Sequence, residues 1–141
     1  MRDMPRWDEL STPERRRYLL KALGEVGHRI TRLVASTNER MLDSVPPGEE
    51  WSIVQLVGFL RDSEREDLAA LKAMIRVDGA RIKERRALYG PAEHHYDSDE
   101  IEDLLWEFAM LREETLYLLD GAGSQLRHVG VHPYQIGRAH V

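Results

Sequence analysis

Apolar side chains return in steps of three and four along three long stretches of this chain, the period of an amphipathic helix. In the first stretch Leu19, Leu23, Val26, Ile30, Leu33 and Met41 form one stripe, with Thr37 in the remaining place. Ser11 or Thr12 can cap its start, and Pro13 suits a first helical turn, where a missing N–H costs no hydrogen bond. Pro46-Pro47-Gly48 should end it. The second stretch opens on Ser52 and Gln55, spaced as a capping box, and Trp51 in front can staple onto Leu56. Its inward line reads Ile53, Leu56/Val57, Leu60, Glu64, Leu68, Leu71 and Ile75. The third should begin near Asp97, boxed with Glu100, and run through Ile101, Leu104/Leu105, Phe108, Leu111/Arg112, Thr115 and Leu118/Leu119 to Gly121 and Gly123.

The connecting stretches are less regular. Residues 82–88 could form a short helix stopped by Gly90-Pro91, and His94-His95-Tyr96 reads as loop. Residues 126–134 have loop character, because Gly130 and Pro133 oppose a helix. The pattern predicts an all-α protein, an incomplete helical bundle; a closed three-helix bundle fits the periodicity equally.

Composition narrows the class. A chain of 141 residues suits one domain, and 42% hydrophobic with 32% charged residues suits a folded helical domain rather than a disordered one. The net charge of −5, with both signs interspersed, argues against a nucleic-acid partner. Absence of cysteine removes disulfides, thiolate metal sites and cysteine nucleophiles. No run approaches the ~20 apolar residues that cross a bilayer, and Met1-Arg2-Asp3-Met4-Pro5 lacks a signal-peptide core, so no membrane partner and a cytoplasmic location are expected.

Candidate chemistry is sparse. Glu64 and Arg112 both fall on inward lines, where a lone charge is costly, so a buried ion pair would resolve both, with Asp62 or Ser63 as further acceptors. A structural clamp is favoured for this pair over Glu64 acting as a general base. His128 and His132 are four apart but straddle Gly130, and adjacent His94 and His95 point apart on an extended loop, so both pairs read as loop residues. His28 sits beside the first stripe as a boundary residue, while Trp106 and Tyr117 fall on the outer face of the third helix. No phosphate loop, serine elbow or zinc-protease helix motif occurs.

Residues 135–141, Gln-Ile-Gly-Arg-Ala-His-Val, match the in-frame translation of a common short-read sequencing adapter. The expectation is an incomplete domain over residues 1–134 followed by a non-native tail over 135–141, in which His140 has no role. An open apolar groove, favouring a homodimer or an apolar small-molecule ligand, follows from that expectation.

Three pieces carry a family resemblance: Pro47-Gly48-Glu49-Glu50-Trp51-Ser52-Ile53 with Phe59-Leu60-Arg61-Asp62-Ser63-Glu64, then Phe108 with Leu111-Arg112, then Arg127-His128-Val129-Gly130-Val131-His132-Pro133. In order and spacing the chain resembles the DinB-like (YfiT-like) superfamily of four-helix bundles. The resemblance implies an up-and-down four-helix bundle, its last helix missing in this chain, a divalent metal, zinc or nickel, held by three histidines, and activity as a metal-dependent hydrolase or thiol-dependent transferase. The first of those ligand positions, eight residues after the tryptophan, is Phe59 here, and the other two would follow Tyr134. No metal or other cofactor is therefore expected in this chain. The resemblance then implies an inactive member, or a non-catalytic binding or interaction module using the bundle groove.

Overall fold

The computed structural model describes residues 6–83, 96 and 100–131. The architecture is all-α. Helices α1 (Thr12–Ala35), α2 (Glu39–Leu42), α3 (Ile53–Arg76) and α4 (Ile101–Gly121) follow one another along the chain, with 3-10 turns at Trp7–Glu9 and Gly123–Arg127. Helix α4 is central, and α3 and α1 both pack along it. Their shared core is built on Val54 and Val57 of α3 and Leu104 and Leu105 of α4, with Ile30, Val34, Ile53 and Ile101 against it.

Helix α1 starts where its sequence predicts: the Ser11 hydroxyl accepts from the Glu14 N–H at 3.3 Å, and Pro13 occupies the first turn. It ends sooner, at Ala35. The Ser36 and Thr37 hydroxyls both turn back onto the Leu33 carbonyl, at 2.9 and 2.8 Å, and the Asn38 side chain accepts from Arg40 N–H to start α2. Such local side-chain bonds compete with helix continuation, so Met41 belongs to a separate element. The predicted stripe also splits. Leu20, Leu23, Gly27, Ile30 and Val34 turn towards α4, whereas Leu19, Val26 and Leu33 remain 51%, 48% and 68% exposed. Arg112 of α4 donates to the Leu23 carbonyl at 2.8 Å, which sets the rotation of α1 and leaves one edge of its stripe facing water.

Helix α3 opens on the predicted capping box: Gln55 N–H donates to the Ser52 hydroxyl at 3.2 Å, and Ser52 N–H donates to the Gln55 amide oxygen at 2.8 Å. The expected Trp51–Leu56 staple is replaced. Trp51 meets Phe59 edge to face, with centroids 5.5 Å apart and planes at 69°, and Leu56 is exposed. The buried line is Val54, Val57, Gly58, Glu64 and Leu68, so Val54 takes the inward place expected of Leu56.

Helix α4 begins at Ile101, and Glu100 caps it without a side-chain bond. The expected partner of Glu100, Asp97, lies outside the described residues. Leu104, Leu105, Phe108 and Thr115 are buried on the predicted face, and the far end is closed by Arg16, which donates to the Leu119 and Asp120 carbonyls at 3.0 and 2.7 Å. Gly123 then takes a φ of 57°, a left-handed conformation suited to a residue without Cβ. Beyond the 3-10 turn the chain runs extended beside the segment after α3. Gly79 N–H donates to the Val129 carbonyl, Ile82 N–H to Val131 and Val131 N–H to Ala80, at 2.6, 2.9 and 2.7 Å. Ile82 is thus held in an extended clasp, not at the start of a helix; residues 84–88 of that expected helix lie outside the described residues. No helix among the described residues is long and apolar enough to cross a membrane.

Candidate functional site

Glu64 and Arg112 face each other across the α3–α4 interface. Arg112 Nε donates to a Glu64 carboxylate oxygen at 2.5 Å, and the two side chains keep only 16% and 7% of their surface exposed. The guanidinium also lies 5.1 Å from the Phe108 ring centroid and reaches α1 through the Leu23 carbonyl. One cation therefore ties three helices together, with the charge neutralised by the acid that needs it. Burying either ion alone would cost several kcal/mol. Asp62, read from sequence as a further acceptor for this pair, turns elsewhere.

Asp62 belongs to a second polar group. Arg61 Nε donates to Asp62 at 2.7 Å, Arg61 Nη1 donates to Glu107 of α4 at 2.5 Å, and Arg65 joins Glu107 at 3.2 Å. The Tyr96 hydroxyl donates to the other Asp62 oxygen. Burial disfavours the Arg61 charge, but the bonds to Glu107 and Asp62 outweigh it and raise its pKa. Tyr96 is also pushed well up, first by burial of the phenol and then by its bond to the Asp62 carboxylate, so it holds its proton as a donor. Tyr96 lies in loop, as its sequence suggests, but its packing on α3 is not legible from the loop reading. The available signal was Gly58, an isolated glycine inside α3: a Cβ placed there would fall 2.5 Å from Tyr96 Cγ, so the ring lies directly on the bare backbone.

The histidines do not converge. His128 sits in extended backbone after the 3-10 turn, and its Nδ1 bonds to the Met74 carbonyl at 2.6 Å, closing the last turn of α3. His28 is exposed on α1 rather than packed at a boundary. His94, His95, His132 and the tail residues 135–141 lie outside the described residues. Among the described residues no three His, Asp or Glu side chains form a group able to hold a metal ion. Phe59 fits no metal: its ring has no lone pair to donate and is turned against Trp51.

At the opposite end from Trp51, α1, α4 and the 3-10 turn after α4 form an open pocket of about 420 Å³. Leu19, Leu20, Leu23, Leu119 and Leu126 line it, and among the described residues Arg15 and Arg16 are its charged members. An apolar interior with few polar groups at the edge is the usual build of a small-molecule site. Arg15 is turned over Trp7, 5.2 Å from a ring centroid, while Arg16 caps α4, so both are held in place.

A central helix flanked by two others, one of them joined to it through a buried and a half-buried charge pair, defines a helical-bundle protein with a polar seam and no assembled metal group among the described residues. The family model of the DinB superfamily matches residues 22–140, and the chain belongs to that superfamily. No curated protein and no solved structure matches it.

Proposed function

We propose that this chain is a non-catalytic binding module of the DinB superfamily, not a metal-dependent hydrolase or thiol-dependent transferase. The observation that carries this reading is Phe59: the helix position that would present the first imidazole presents a hydrocarbon ring packed on Trp51. The two buried or half-buried charge groups support it, because their members satisfy one another across helices and leave Glu64 serving Arg112 instead of a substrate. The leucine-lined pocket between α1 and α4 supplies a place for an apolar ligand.

Metal content tests the proposal directly. Purified chain loaded with zinc or nickel and then desalted should retain far less than one ion per molecule. Retention of a stoichiometric ion would overturn the reading, because a tight site would then exist without a donor at Phe59.

A further inference from the structure

Two helices of this chain leave apolar lines in water, and their charges are opposite. On α1 the line is Leu19, Val26 and Leu33, residues seven apart and therefore on one side of the helix. Six Lys and Arg against two Glu make α1 basic, and Arg29 and Arg32 stand exposed beside the line. On α4 the line is Trp106, Met110 and Tyr117, exposed by 66%, 49% and 80%. Helix α4 carries six Asp and Glu against one Arg. Every other exposed residue along it is acidic apart from its terminal glycine, with Glu113 directly beside the line.

We infer that the partner of this module is a second copy of the same chain, the basic-edged line of α1 docking on the acid-edged line of α4. The α1 line spans about 21 Å and the α4 line about 16 Å at the helical rise, so they overlap over about three turns. Aromatic and methionine side chains at the centre with charges at the edge are what protein interfaces use. Opposite edges steer the two faces together and disfavour α1 against α1 or α4 against α4. The contact joins two different faces, so it is heterologous, and assembly grows until the rotation between copies closes a ring. This inference deepens the binding-module reading and rests on it only for the module's role; metal content decides that reading, and the experiment below decides this one.

Sedimentation of the full chain over a range of concentrations should show self-association that weakens as salt is raised. Arg29→Glu and Glu113→Arg are both exposed, and each should weaken association roughly tenfold or more while helix content stays the same. Each variant alone places two like charges opposite one another at that contact, Glu against Glu or Arg against Arg. Mixed in equal amounts, the two variants restore an opposite pair at both contacts, so association should return. Three results would each overturn the inference: a chain that stays monomeric at every concentration, association sensitive to Arg29→Glu but not to Glu113→Arg, or variants that fail to assemble on mixing.

Discussion

Arg112 has three partners on three elements, which makes it the side chain whose loss should be felt most. It donates to Glu64 at 2.5 Å and to the Leu23 carbonyl at 2.8 Å, and stacks on Phe108. Arg112→Met keeps the volume but strands a buried carboxylate, and should cost roughly 3–5 kcal/mol in urea unfolding. Glu64→Gln keeps an acceptor oxygen but leaves the buried guanidinium without its counter-charge, and should also cost roughly 3–5 kcal/mol. The double variant should cost clearly less than the sum, because the stranded charge is gone. Strict additivity would show that the pair is not the clamp described here. Tyr96 gives a second, pH-dependent test. Its phenol is held protonated in the folded chain, so folding gains stability that is fully present below the unfolded phenol's pKa of about 10 and is lost as pH rises beyond it. Unfolding free energy measured across that range should fall for the native chain and fall less for Tyr96→Phe. Equal slopes would dissociate the phenol from the Asp62 network.

At the scale of elements, three glycines inside helices separate spare backbone freedom from necessity. A Cβ on Gly24 would meet Leu116 at 3.5 Å and one on Gly27 would meet Arg112 at 3.6 Å, both ordinary contacts. Gly24→Ala should therefore stabilise α1 by about 0.5–1 kcal/mol through the unfolded chain's lost freedom. Gly58→Ala should do the reverse, costing about 1–3 kcal/mol, since the new methyl displaces the Tyr96 ring. Thermal unfolding of the two variants in opposite directions is the expected outcome; the same sign for both would contradict the close approach at Gly58. The elements themselves were largely readable. The Ser52–Gln55 box, the Ser11 cap and the buried face of α4 all depend on nearest neighbours along the chain, and periodicity reports those well. What periodicity missed depends on contacts far away in sequence. The α1 stripe was read as wholly inward because its spacing is continuous, but its rotation is set by Arg112, 89 residues away from Leu23. The apolar spacing carries the first helix through Met41 to Pro46-Pro47-Gly48, because nothing in that spacing registers the hydroxyls of Ser36 and Thr37 turning back on Leu33. The Glu64–Arg112 pairing was legible because each would be costly alone, whereas the Arg61–Glu107–Asp62–Tyr96 group was not, since half-exposed charges carry no such demand.

Across the molecule, the attachments of α1 and α3 to the central helix differ. Helix α3 is bound to α4 by the main core and, among the described residues, by four cross-helix ion pairs: Arg61–Glu107, Arg65–Glu107, Lys72–Glu114 and Arg112–Glu64. Helix α1 rests on α4 through one face, the Arg16 cap and the Arg112 bond, with Leu19, Val26 and Leu33 open on its other side. Free energies of local opening follow how much apolar surface and how many bonds an element must give up. Native-state hydrogen exchange on dilute chain should therefore release α1 amides at a lower opening free energy than those of α3 and α4. Raising the protein concentration should then slow exchange in α1 more than in α3, because docking on α4 of another copy covers the open line while α3 gains nothing. Protection in α1 equal to that of α3 at high dilution would mean that α1 is held by something other than the contacts described. Concentration-independent exchange would mean that the exposed line stays in water. The two dependences separate what the fold supplies to α1 from what a neighbour supplies, which no measurement at one concentration can do.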